Sequence, residues 1–359
     1  MITKLALTNF RNYKNQVVEF SPGLNVLLGK NAQGKTNLLE AIYFCAIGKS
    51  HRVSKEKELI LWNENFAKIS VDVQRGIIKS NIEILFSKNE KKTIKLGGIS
   101  IKKIGDLLGE MNAVHFSPEE LKLVKESPED RRRFLDIANS QISKSYFSLL
   151  GRYEKALANR NKLLKMYDKI ENVAQTIGVW NEQLAVTGSK IIKQRRWFCE
   201  KLFKYAKLAH SFLSSNTEDL SVSLQCESGQ TEQEFYNNLL QKLNKNLEKD
   251  FKLGYTTIGP HRDDIKILID NIDVRTYGSQ GQQRTAALSL KLAELEIAKE
   301  EKGEYPILLL DDVLGELDQS RQKRLIKFTE KTQTIVTCNS FDLNFPCNLI
   351  HVENGKVAK

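Results

Sequence analysis

No two of the five cysteines stand close enough to suggest a pair. Cys45, Cys199, Cys226, Cys338 and Cys347 are scattered through 359 residues without a C-x-x-C spacing. That argues against a disulfide framework and reads as reduced, mostly buried thiols. Neither they nor the five histidines fall at metal-ligand spacing. No apolar run approaches the roughly 20 residues that span a bilayer, and Met1-Ile2-Thr3-Lys4-Leu5 lacks the basic-then-apolar plan of a secretion signal. The expectation is a cytoplasmic protein without a membrane partner. Hydrophobic residues make up 41% of the chain and charged residues 28%, a balance that suits a soluble protein of one large or two ordinary domains. What is plentiful is positive charge. The net charge of +11 points toward a polyanionic partner.

One motif sets the chemistry. Gly29-Lys30-Asn31-Ala32-Gln33-Gly34-Lys35-Thr36 fits G-x-x-x-x-G-K-[ST]. The apolar run Leu24–Leu28 before it suits a buried strand, and Asn37–Tyr43 after it has helical spacing. In such a turn, backbone N–H groups and the helix N-terminus converge on phosphates. Lys35 reaches the outer phosphates, and the Thr36 hydroxyl ligates Mg²⁺. The chain is therefore expected to bind a nucleoside triphosphate.

Residues 2–10 and 16–20 read as two strands around an Arg11-Asn12-Tyr13 turn, and β-like runs from Phe66 to Ile101 suggest an antiparallel lobe. Ser117-Pro118 and Ser127-Pro128 mark a boundary near residue 116. Beyond it the period changes to steps of three and four. Tyr146, Leu149, Leu150, Tyr153, Ala156, Leu157, Leu163, Leu164, Tyr167 and Ile170 form one stripe, and Trp180, Leu184, Ile191, Phe198, Leu202, Tyr205, Ala209 and Phe212 form a second. Two long helices joined near Gly178 should pack antiparallel as an arm. From Lys144 to Lys207 there are 14 basic and 5 acidic residues, a surplus of nine. This run reads either as an ordinary solvated helical surface or as an electrostatic footprint for nucleic-acid phosphates. For the second reading the candidates are Arg152, Lys155, Lys162, Lys165, Lys193, Arg195 and Arg196. Little aromatic interleaving favours duplex over single strand.

Near the C-terminus, Ile307-Leu308-Leu309-Leu310-Asp311-Asp312 is an apolar strand ending in two carboxylates. Such a strand delivers Asp311 to Mg²⁺ at the sheet edge, and Asp312 then lies where a carboxylate orients or deprotonates the attacking water. Gly315-Glu316-Leu317-Asp318 follows. Upstream, Ser279-Gln280-Gly281-Gln282-Gln283-Arg284 opens a helical run from Thr285 to Lys299. That helix start reads as another anion site or as a plain N-cap.

Phosphate loop, Ser-x-Gly-Gln signature, Asp-Asp strand and E-L-D turn resemble, in that order, the ABC-type ATPase head, with the helical arm placed as in its SMC branch. Asn9-Phe10-Arg11-Asn12-Tyr13, Phe116-Ser117-Pro118-Glu119-Glu120-Leu121, the run Ser127–Asp136 and Gly259-Pro260-His261-Arg262-Asp263-Asp264 narrow this further. Together they resemble the bacterial RecF recombination-mediator family over essentially the full length. The resemblance implies an α/β fold: a mixed β core with helices and an antiparallel β lobe, plus an inserted helical arm. It divides the chain into a first head half at 1–115, the arm at 116–254 and a second head half at 255–359.

The resemblance also implies a DNA-binding protein of recombinational repair, replication restart and the SOS response. Such a protein dimerises with ATP on duplex near single-strand gaps and acts with RecR-type and RecO-type partners to load the recombinase RecA. It carries over Lys35 and Asp312 as catalytic, and Thr36 and Asp311 as Mg²⁺ ligands. Ser279, Gly281 and Gln282 would touch the γ-phosphate held by the opposite protomer. Arg11 and Arg52 are further phosphate contacts. Arg131 and Arg132 either bind DNA or tie the arm to the head, and His261 is either a structural hydrogen-bonder or a sensor of the dimer interface. A nucleotide-gated scaffold is the alternative; an ABC transporter subunit fits less well.

The chain departs from the pattern at several points. Glu126 precedes Ser127 where the family usually has Gly, Gly315 replaces Ser or Ala, and no Gln stands between 110 and 120. Thr337-Cys338-Asn339 occupies the place where transporters carry a phosphate-sensing His, and Asp312 replaces a common Glu. These features predict slow hydrolysis, and the resemblance implies a weak, DNA-stimulated ATPase.

Overall fold

The computed structural model describes residues 1–166, 170, 174, 176–341 and 345–358. They fall into two compact units, one of Met1–Leu121, Ala209–Thr217 and Ala287–Lys359, the other of Lys122–Leu208 and Glu218–Ala286. These limits differ from the expected divisions at 116 and 255. Segment 255–286 belongs with the helical unit because its strand Asp264–Ile269 pairs antiparallel with Leu220–Gln225.

The first unit holds two six-stranded sheets. In one, the phosphate-loop strand Leu24–Leu28 lies parallel between Thr334–Cys338 and Asn348–Glu353. Ile307–Asp311 continues that sheet beside Thr334–Cys338, and Ala113–Phe116 follows. Strands this uniformly buried are enclosed on both faces, which is why Ile307–Leu310 reads as an unbroken apolar run rather than an alternating one. The other sheet is antiparallel, in the order 13–19, 2–10, 66–75, 78–87, 93–96, 99–101.

Helix Lys35–Ile47 is apolar almost all round: Leu38, Leu39, Ala41, Ile42, Phe44, Cys45 and Ala46 are fully buried. A helix of that kind requires enclosure. It shares one core with Ile69, Val71 and Ile84 of the antiparallel sheet and with Leu27, Leu309 and Ile335 of the parallel one. Burying each large side chain contributes roughly 1.5–3 kcal/mol, so the loop that precedes this helix rests on a rigid base.

In the second unit, helix Lys144–Met166 runs antiparallel to Gly178–Ser214: Tyr146 meets Arg195, and Arg160 meets Asn181. Tyr146, Leu149, Tyr153, Ala156, Leu184 and Ile191 from the two predicted stripes form the seam. Gly178, expected as the joint, begins the second helix. Tyr167 lies outside the described residues. Among the described residues no helix is long and apolar enough to cross a membrane.

Candidate nucleotide site

Two backbone features fix the phosphate loop. A Cβ on Gly29 would lie 2.2 Å from the Val352 carbonyl oxygen, so only glycine fits there. Gly34 has φ +115°, which favours glycine. The Asn354-Gly355 turn holds the loop from outside: the Asn354 N–H donates to Gln33 Oε1 and the Gly355 N–H to the Gln33 carbonyl. Asn12 Nδ2 donates to that same carbonyl and Asn37 Nδ2 to Asn12 Oδ1.

The Lys35 ammonium is buried and donates to the Gly29 and Lys30 carbonyls and, at 2.9 Å, to Asn339 Oδ1. Thr36 Oγ1 donates to Asp311 Oδ1 at 2.9 Å. Thr337, fully buried on the central strand, donates to the same Asp311 oxygen at 2.8 Å and accepts from the Asp312 N–H at 2.8 Å. That pairing holds Asp312 at φ +52°, a backbone conformation that costs on the order of 1 kcal/mol or more and persists only where neighbours enforce it.

Burial pushes the Asp311 carboxyl above the usual range, against the two hydroxyls and with repulsion from Asp312. A divalent cation would reverse that balance. Thr36 and Asp311 present adjacent hard oxygens that fit Mg²⁺. Beside them opens a cleft of about 680 Å³ lined by Asn31, Asp312, Gly315, Gln319, Lys323 and Asn339.

Arg11 and Arg52 pair with side chains of the helix that follows the loop. Arg11 grips fully buried Glu40 through two bonds of 2.9 and 2.8 Å, and Arg52 reaches Asn37 Oδ1 at 2.9 Å and Glu40 at 3.4 Å. Burial alone would raise the Glu40 carboxyl; Arg11, Ser50 and Arg52 together bring it below its ordinary value. A carboxylate inside an apolar helix needs these counter-charges, and Arg52, with its side chain partly exposed, also lies close enough to Asp311 to act on its carboxyl.

The signature lies in the second unit. Ser279 and Gln282 satisfy one another: the Ser279 N–H donates to Gln282 Oε1 at 2.9 Å and the Gln282 N–H to Ser279 Oγ at 3.2 Å. This is a reciprocal capping box at the start of helix Gln280–Lys302, with Gly281 in its first turn.

On the arm, Arg152, Lys155, Lys162, Lys165 and Lys193 are exposed. Arg196 is half-buried, bonded to the Gly229 carbonyl and stacked over Phe235. Arg195 corrects the DNA-contact reading. It is 2% exposed, bonded to Asp136, Asp263, Tyr146 and the Pro260 carbonyl. Its place on the buried side of the helix keeps it from solvent, and its charge is met by Asp136 and Asp263. Arg160 is likewise fully buried, against Asp250, Thr256 and Asn181.

Arg131 forks onto Asp264, and Arg132 donates to the Asp263 carbonyl, fastening helix Pro128–Ile142 to the 260–264 segment. His261 accepts from the Tyr153 hydroxyl at 2.6 Å and donates to the Thr256 carbonyl at 3.0 Å. Burial outweighs the Thr256 bond and brings His261 down to about 4, so its ring is neutral. Lysines sit over the rings of Trp197, Phe203 and Tyr205, an aromatic–basic interleaving that was not expected on the arm.

The family model for the RecF/RecN/SMC N-terminal domain matches residues 1–343. A Clostridium tetani protein, DNA replication and repair protein RecF, is 46% identical, with 98% of each chain covered. An Alkaliphilus oremlandii protein of the same name is 47% identical over 94% of this chain and 93% of its own. This chain belongs to the RecF family.

A solved structure of the recombination mediator protein RecF with ATPrS, of the RecFOR pathway, superposes with a TM-score of 0.91 at 40% identity, covering 99% of this chain and 97% of the other. A Pyrococcus furiosus Smc head domain with an extended coiled coil, bound to the C-terminal domain of ScpA, gives 0.55 at 19% identity over 99% and 95%. The RecF fold here is thus the SMC-type ABC ATPase head with an inserted helical unit. Within this RecF chain, reasoning from sequence missed Glu40, Thr337 and Asn339. Glu40 stands as a lone charge in the apolar run of helix Lys35–Ile47, while Thr337 and Asn339 were marked only as standing where transporters carry a phosphate-sensing His, without the Asp311 and Lys35 contacts they make.

Proposed function

We propose that the chain is an ATP-dependent DNA-binding protein of recombinational repair and replication restart. ATP with Mg²⁺ occupies the phosphate loop, Lys35 and the loop amides hold the phosphates, and Thr36 and Asp311 hold the metal. Two copies close over shared nucleotide, each presenting Ser279, Gly281 and Gln282 to the other's terminal phosphate. The closed pair grips duplex DNA near a single-strand gap through exposed cations of the arm. Asp312 orients the attacking water, and slow hydrolysis releases the clamp. RecR-type and RecO-type proteins are the expected partners in loading the recombinase.

The observation that carries this reading is the convergence of the Lys35 ammonium, the Thr36 hydroxyl and the Asp311–Asp312 pair at one sheet edge. Light scattering with and without ATP, alone and with gapped duplex, tests it. A mass that doubles with ATP supports the clamp. A single molecule at saturating ATP and gapped DNA overturns it.

A further inference from the structure

Tyr13 opens the strand Tyr13–Glu19 and is fully buried. Its hydroxyl is shielded from water and has no hydrogen-bond partner among the described residues. A buried, unsatisfied hydroxyl is destabilising, and phenylalanine would fill the same space without that cost. The position of the oxygen suggests why it is kept. A Cβ built on Gly34 would fall 2.7 Å from Tyr13 Oη, so the hydroxyl lies directly against the phosphate loop, on the side where Asn12 also sits.

The loop is not equally secured along its length. Gln33 is held three ways, by Asn12, Asn354 and Gly355. Among the described residues the Gly34 carbonyl accepts only from its own helix, from the N–H groups of Asn37 and Leu38. When an anion draws the N–H groups of such a loop toward itself, the opposite edges of those peptide planes, the carbonyls, turn away from it. The Tyr13 hydroxyl lies beside Gly34, with its ring in the core shared with Leu38, Leu39 and Ile42.

We propose that Tyr13 is a positioning residue for the loaded phosphate loop, its hydroxyl donating to a loop carbonyl only when nucleotide phosphates fill the site. This rests on the nucleotide-binding reading above. The contact acts through the loop rather than on the terminal phosphate. It therefore strengthens ATP and ADP binding by the same factor and leaves their ratio unchanged.

Tyr13→Phe separates this from a packing role, because the two make opposite demands. The nucleotide-free variant should melt at or above the parent's temperature, while ATP and ADP, followed by calorimetry, each bind about fivefold more weakly, the worth of one hydrogen bond. Unchanged affinity overturns the proposal. So does a lower melting temperature without nucleotide, which would mean the hydroxyl is already bonded. A loss confined to ATP overturns it too, since that would place the contact at the terminal phosphate. Lys35→Ala serves as the control and should abolish both affinities. If the parent chain binds neither nucleotide, the nucleotide-binding reading fails instead.

Discussion

Replacing Arg195 with methionine keeps the apolar stem of the side chain and deletes its guanidinium. Four neighbours then lose their donor: Asp136 at 2.8 and 3.1 Å, Asp263 at 2.9 Å, the Pro260 carbonyl at 2.6 Å and the Tyr146 hydroxyl at 3.1 Å. Asp263 is 4% exposed and cannot turn to water. Removing one partner of a buried pair in this way costs about 3–5 kcal/mol, which lowers the melting temperature of a unit this size by roughly 10 °C.

The deficit should also depend on pH. Burial already holds the Asp263 carboxyl up, at about 6, even beside Arg195, and without the cation it rises further. Protonated when folded and ionised when unfolded, such a group loses stability as pH climbs, so the loss is smaller at pH 5 than at pH 8. Adding Asp263→Asn should recover part of it. Thermal melts by circular dichroism read the stability, and DNA affinity is measured well below the transition. A variant that melts like its parent yet binds DNA poorly would refute this reasoning and return Arg195 to the DNA surface.

Reversing the exposed charges at Arg152, Lys155, Lys162, Lys165 and Lys193 together should weaken duplex binding at least tenfold and flatten its salt dependence, with nucleotide affinity unchanged. Fluorescence anisotropy across a salt series checks both, and an unaltered slope would defeat the arm assignment. Asp312→Asn should slow single-turnover phosphate release by about a hundredfold while leaving ATP affinity within about twofold; equal losses in both would assign Asp312 to binding. Burial, with His51, Lys291 and Arg52 nearby, holds His115 well below its ordinary 6.5. The folded ring stays neutral while the unfolded chain takes up a proton below 6.5. Stability is therefore complete above that pH and falls by up to about 1.4 kcal/mol per unit beneath it. His115→Phe should flatten that limb in a pH series of melts.

The elements that read clearly were those with one dominant constraint. Leu24–Leu28 and Ile307–Asp311 are buried on both faces, so their apolar runs declare themselves, and the loop glycines are required by geometry. The arm stripes emerged for the same reason, as the apolar seam between two helices. Polar partnerships were harder. Thr337 reaches Asp311 across adjacent parallel strands, and that register is set by sheet order, which a local window does not contain. Arg195 and Lys193 are two positions apart, yet one is buried and the other exposed, because a step of two residues swings a side chain to the far side of a helix. Counting charge along the arm misjudged the surface for this reason. Arg160 and Arg195 are neutralised inside by Asp250, Asp136 and Asp263.

The strand leading into the phosphate loop is flanked on both sides by strands made more than three hundred residues later. A ribosome therefore delivers the loop long before it delivers the walls that shape it. Until Thr334–Cys338 and Asn348–Glu353 have emerged, Lys35 lacks Asn339, Gln33 lacks its turn, and Leu24–Leu28 presents two bare edges. Nascent or prematurely terminated chains must pass through that interval with an unfinished pocket, which makes completion of synthesis a precondition for any nucleotide-driven event.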